Sequence, residues 1–206
     1  MEGRMRRSGW VAAGLVLALV APWPGRAEAE AQVHKGYEGP AYRVEATEGG
    51  VELRRYEPHL VAEVTVSGSR SGAANTAFRR LAAFIFGQNS AGEKMAMTSP
   101  VTQTAAEAGG PWTVRFAMPA QYDAATLPRP QDPAVRIVTV PAGRMLALQF
   151  AGMPGDEVLA AREAEARAAA AAMGLRVTGP AVYAFYDSPF TLPSRRRNEV
   201  LLPVAR

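Results

Sequence analysis

Residues 51–68, "VELRRYEPHLVAEVTVSG", decide the fold, because residues 135–152, "VRIVTVPAGRMLALQFAG", repeat their pattern without a gap. Val51, Leu53, Val64, Val66 and Gly68 fall opposite Val135, Ile137, Leu148, Phe150 and Gly152. Each stretch carries two apolar, β-branched runs around a proline-containing turn and closes on glycine, which is the composition of a β-hairpin.

The segment after each hairpin has the period of a helix. From Ser71 the apolar positions Ala74, Ala77, Phe78, Leu81, Ala82 and Ile85 recur at steps of three and four, with Ser71 or Asn75 as caps and Gly87 past the end. In the second half "DEVLAAREAEARAAAAAMG" (156–174) offers Asp156 as cap, sets Glu163 four residues before Arg167, and stops at Gly174. Each helix leads back to strands. These are "KMAMTSPV" (94–101) and "PWTVRFAMP" (111–119) in the first half, and "AVYAFYDSPF" (181–190) and "RNEVLLPV" (197–204) in the second.

The expectation is an α+β fold in which two β-β-α-β-β units form one distorted eight-stranded barrel or two-sheet assembly, with both helices packed outside. Setting Ser99-Pro100-Val101 against Ser188-Pro189-Phe190 makes "EKMAMT" (93–98) the third strand of the first unit. Met95 and Met97 then share a face, as side chains two apart on a strand do. Such alternation reads as core packing or a soft apolar wall before it reads as metal ligation.

Composition sets the remaining bounds. A chain of 206 residues, 48% hydrophobic and 20% charged, is long enough for one domain with a substantial core. Arg4, Arg6 and Arg7 precede the uncharged run "SGWVAAGLVLALVAP", too short to span a bilayer comfortably, and "GRAEAEA" then supplies small residues at signal-peptidase spacing. Residues 1–29 therefore read as a secretory signal peptide, residues 30–39 as a flexible mature N-terminus and residues 40–206 as the folded domain. This places the mature protein in the periplasm or otherwise outside the cytoplasm, with no membrane span once the leader is removed. Losing residues 1–29 removes four basic and two acidic residues, so the net charge of +4 falls to +2. So mild a charge argues against nucleic acid as a partner. There is no cysteine, hence no disulfide framework and no acylated cysteine.

Several motifs, taken in order, carry a resemblance: "VELRRYEP", "LAAFIFGQN", "KMAMTSPV", "FAMP", "LPRPQDPAV", "LALQFAG" and "SPFTLPSRRRNEV". Together they resemble the SOUL haem-binding protein family over roughly residues 40–206. The resemblance implies an α+β barrel of two repeats, related to effector-binding domains of bacterial multidrug-responsive regulators, and it implies binding of haem or another tetrapyrrole. A flat macrocycle with two carboxylates needs an apolar cleft and a cationic rim. The resemblance places that cleft beside the first helix, with Phe78, Arg79, Arg80, Leu81 and Ala82, and beside the loop carrying Phe190 and Arg195. The plain structural roles stand next to these. Phe78, Leu81 and Ile85 fit the face that packs the helix on the sheet, the arginines at 195–197 fit a solvated turn or partners for Glu199, and Asn198 and Glu199 fit residues that pin the last strand.

Axial ligation is less marked. Some family members carry histidine immediately before the tyrosine of the first strand; here Arg55 precedes Tyr56. His34 falls in the N-terminal stretch and His59 in the "EPHL" turn, where a surface role is expected, so the preferred reading is binding without a strong axial histidine. Tyr56, Met95 and Met97 are chemically competent alternatives, with His59 the weak metal candidate. An exported binder of other hydrophobic small molecules fits the same cleft. Metal-hydrolase, phosphate-loop and nucleophile-elbow motifs are missing from the sequence, which leaves a carboxylate enzyme using Glu63 or Glu199 as the minor alternative. From the leader, the mature protein is expected to begin near Glu30; intact-mass measurement on the envelope fraction checks it, and a full-length cytosolic species would contradict it.

Overall fold

The computed structural model describes residues 29–107 and 109–205. The signal-peptide reading therefore lies, Ala29 apart, outside the described residues. The elements are β1 (Glu30–His34), β2 (Tyr37–Glu48), β3 (Val51–Tyr56), β4 (His59–Val66), α1 (Arg70–Ile85), β5 (Val101–Ala105) and β6 (Trp112–Ala117), then β7 (Arg136–Val140), β8 (Gly143–Phe150), α2 (Asp156–Ala172), β9 (Arg176–Val177), β10 (Val182–Phe185) and β11 (Asn198–Ala205). All the strand pairings are antiparallel, in the order β1-β2-β3-β8-β11-β10-β5-β6-β4-β7, with β9 added on β11.

The α+β class is as expected, but neither the distorted eight-stranded barrel nor the two-sheet assembly is what forms. The strands make one curled, open sheet of eleven, a half-barrel with β1 and β7 at its ends. Part of the reason lies in residues 30–39, which are not a loose tail. They form β1 and the start of β2, joined by a two-residue turn at Lys35 and Gly36 with φ of 50° and 85°, the positive-φ geometry that suits the twist of a tight hairpin. β2 then runs along β3 from Tyr42 opposite Tyr56 to Glu48 opposite Val51, occupying the edge that closure would need.

A second correction concerns "EKMAMT". Residues 93–97 form no strand, Thr98 makes only an isolated bridge to Glu38, and β5 begins at Val101. Ser99-Pro100 leads into β5, whereas Ser188-Pro189 follows β10, so the two are not equivalent positions. Met95 is nonetheless buried and Met97 packs against the same cluster, which is the core role.

Period-two alternation gives the sheet two distinct faces. The convex face receives the helices. Ala77, Leu81, Phe84 and Ile85 of α1 pack on Ala62 and Val64 of β4 and on Val114 and Phe116 of β6. Leu159, Ala166 and Ala170 of α2 pack on Val51, Leu53, Leu146, Leu148, Val200 and Leu202. The helices begin slightly earlier than the expected caps: Ser69 caps α1, its side chain accepting from Gly72 N, and Gly155 stands at the cap of α2. Leu81 is fully enclosed, so Leu81→Ala should lower unfolding stability by about 2–5 kcal/mol, measured by urea titration.

Candidate functional site

With the helices on one side, the other set of alternating side chains lines a concave trough. Here Tyr42, Tyr56, His59, Met145, Tyr186 and Leu201 wall a cleft of about 350 Å³. That volume lies in the range of small-molecule sites, ~300–1,000 Å³. The cleft runs between the two hairpin turns, since His59 on one side and Val140, Pro141 and Gly143 on the other both border it. Gly39 also lines it, and a side chain there would run into the Ser99 carbonyl, so β2 passes this close only as glycine.

Paired charges lie beside the cleft: Arg115 and Arg144 border it, and Tyr186 in its wall leads to Glu199. Glu199 of β11 is fully enclosed and accepts from both terminal nitrogens of Arg54 (2.8 and 3.0 Å), from Arg197 (2.7 Å) and from the Tyr186 hydroxyl (2.7 Å). Burial pushes its carboxyl up, but Arg54 foremost, with Arg197 and Tyr186, outweighs burial and holds it below the usual carboxylate range. Arg54 also lies over the Tyr42 ring at 4.5 Å, and Arg197 over Tyr186 at 4.1 Å. The same pattern recurs at Glu63, bound by Arg115 (2.8 Å) and Arg136 (2.6 Å), and at Glu45, bound by Arg55 (2.7 Å) and Arg144 (2.6 Å). Both carboxyls are held low, the guanidinium partners overcoming the opposing effect of burial. Burial raises the phenols of Tyr56 and Tyr186 well above their ordinary value, so both stay protonated at neutral pH. Carboxylates fixed as ions by two cations are poor general acids, because that role needs a raised pKa.

The residues expected to form a site are differently placed. Leu81 is enclosed in the core and Ala82 is half-buried on the same helix, Phe78 is partly exposed with its edge against Phe116, Arg79 is exposed, and Arg80 pairs with Asp132 at 3.4 Å. Phe190 is almost fully exposed and Arg195 ends a short 3-10 turn. None of the seven borders the cleft. Of the arginine triplet it is Arg197 that meets Glu199, as the simpler pairing role anticipated. Met95 and Met97 lie with the convex-face core, on the far side of the sheet from the cleft, while Tyr56 lines it.

His59 is a correction. It is not a free surface-turn histidine: it opens β4, is half-buried and borders the cleft. His34 is also placed, its Nε2 lying 3.2 Å from Asp187. Lys35 and the Arg197 backbone N–H also bind Asp187 and, against burial, bring its carboxyl down to about 2. Sequence reasoning did not single out Tyr42, Tyr186, Met145 or Arg54. For Arg54 the signal was present in the alternation Glu52, Arg54, Tyr56, but a polar face on a strand reads as solvent-facing unless both faces are known to be covered.

Residues 37–203 match the family described as SOUL heme-binding protein, and the chain belongs to that family. No curated protein matches. Among solved structures, the chain is similar to an uncharacterized conserved protein from Listeria innocua (TM-score 0.62, 16% identity, 78% of this chain and 94% of that one). It is also similar to a hydrolase from Listeria innocua (0.60, 16%, 78% and 94%) and to the EcmrR C-terminal domain (0.61, 11%, 80% and 98%). At these identities the likeness is one of fold. Among the described residues no group of three or more His, Cys, Asp or Glu side chains is arranged to hold a metal ion, and no helix is long and apolar enough to cross a membrane.

The Glu199 cluster has a measurable pH signature. A carboxyl held low in the folded chain contributes stability that is fully present above its unfolded pKa of about 4.3 and is lost as pH falls through the folded value. Glu199→Gln should cost about 3–5 kcal/mol at neutral pH, since it leaves buried guanidinium groups without their anion. Urea titrations across pH should show that part of the acid-side decline missing from the variant.

Proposed function

We propose that this chain binds haem or a related tetrapyrrole in the concave cleft, as an exported, periplasmic protein. Family membership supports the ligand class. The observation that carries the site is the charge pattern: an apolar trough with three tyrosines, bordered by Arg115 and Arg144, beside carboxylates each held by at least two arginines. A lipophilic cation would need an unpaired carboxylate near the cleft, and Glu199, Glu63 and Glu45 are all taken. An amphiphile with carboxylates of its own suits that surplus of guanidinium groups, which bind carboxylates in a planar fork. The ring would rest on Tyr56, Met145 and Leu201, with its acidic edge toward Arg115 and Arg144 at the border. In the same reading the two β-β-α-β-β halves are one unit used twice, with the cleft between their turns. Matching registers support this: Tyr56 stands opposite Gly143, and its counterpart Val140 stands opposite His59.

The face of α1 together with the 190–195 loop is the second possible seat, favoured by the exposure of Phe78 beside Arg79 and of Phe190 ahead of Arg195. Titrating the mature protein with haem, protoporphyrin and a neutral hydrophobic dye separates the readings. Val182→Trp, which fills the cleft, should weaken tetrapyrrole binding by about tenfold or more, as loss of apolar contact surface does. Replacing Arg79, Arg80 and Arg195 together with neutral residues should leave affinity within about twofold, exposed charge contacts contributing little each. The reverse result moves the site to α1; dye binding without tetrapyrrole binding makes the protein a carrier of other hydrophobic molecules.

A further inference from the structure

The imidazole at the end of the cleft is held in one tautomer. His59 Nδ1 lies 2.9 Å from the Glu57 carbonyl oxygen. A carbonyl only accepts, so Nδ1 carries the proton and Nε2 keeps its lone pair. The backbone that supplies this acceptor is itself fixed, since Glu57 N donates to the Ala41 carbonyl at 3.0 Å. Ligating histidines are commonly fixed in this way, with the second ring nitrogen hydrogen-bonded to a carbonyl or carboxylate.

We propose that His59 is the axial ligand of a haem iron seated in the concave cleft, binding through Nε2, with the Glu57 carbonyl as its orienting partner; this rests on the reading of the cleft as a tetrapyrrole site. The donor set fits the group. The ring borders the cleft together with Tyr56, Val61 and Val140, which offer apolar surface to a macrocycle. The other donors weighed from the sequence are disfavoured. The Tyr56 phenol is kept protonated by burial, Met95 and Met97 belong to the core on the convex side, and the other histidine, His34, directs its Nε2 to Asp187.

The test uses the mature chain with ferric haem and, in parallel, iron-free protoporphyrin, read by absorption, by electron paramagnetic resonance of the ferric iron, and by porphyrin fluorescence. Wild type should give a histidine-ligated haem spectrum. His59→Ala should shift the Soret band and lower haem affinity by about tenfold or more beyond any change for protoporphyrin, and added imidazole should restore the wild-type spectrum. Should His59→Ala not fold, His59→Gln takes its place with the same expectation. Unchanged haem spectrum and affinity in a folded variant, with protoporphyrin still bound, would overturn the ligand assignment while leaving the cleft reading intact. Failure of both tetrapyrroles to bind wild type would remove the cleft reading, and the assignment with it.

Discussion

The ion pair between Arg54 and Glu199 is the contact around which the concave face is organised. The two residues lie on β3 and β11, which are not neighbours; β8 runs between them. Their side chains therefore reach across a strand, a span of about 9–10 Å between backbones. Ala147 of β8 stands between Glu52 on one side and Leu201 on the other, and it is small enough to leave room above the strand. A buried pair of this kind adds little net stability over a well-packed apolar pair, yet losing one partner is costly. Its consequence here is positional: once Glu199 is bound, Arg54, Arg197, Tyr186 and Tyr42 have one arrangement that satisfies them all. No buried side-chain nitrogen or oxygen among the described residues lacks a partner.

That arrangement decides where a ligand is able to bind. The helices cover the convex face and the apolar residues beneath them are enclosed, so a ligand there would have to displace core. On the concave face the charged side chains beside the cleft are already paired with one another, and aromatic rings, a thioether and aliphatic carbon border it. Pairing carboxylates with arginines in excess also sets the sign of the border. Preorganised donors of this kind lose little entropy when an anion arrives, because their side chains are already fixed.

Much of this was legible in the sequence. The gapless likeness of 51–68 and 135–152 located four of the strands, the three-and-four spacing located α1, and the Asp156, Glu163–Arg167 and Gly174 signals located α2, each helix to within a few residues. The open sheet was not legible, because the "EAQVHKGYEGP" stretch carries too little apolar content to mark a hairpin that owes its strand form to pairing on β3. The "EKMAMT" segment failed for the opposite reason. Its alternation is real, and Met95 is buried, but burial beneath α1 is enough to produce alternation without any strand partner. The site was harder still. An amphipathic helix shows its apolar side in sequence, so Leu81 invited a binding role that enclosure then withdrew. Arg54 and Tyr56 look like the wet side of a strand until the sheet curls over them.

The fold alone leaves ligand chemistry open, as the mixed names of its structural relatives illustrate. What distinguishes one member from another must be sought in the few side chains that project from the concave strands, since the backbone trough is common to the architecture. In this chain an acidic residue on β11 would by itself favour a cation. Arg54 and Arg197 cancel that preference, because Glu52 also sits on Arg54 and the cluster sets two guanidinium groups against two carboxylates. The charge beside the trough is therefore written in the partners of Glu199 rather than in Glu199 itself, and a chain that kept Glu52 and Glu199 but lost the arginine of β3 would present the same trough beside a net negative charge.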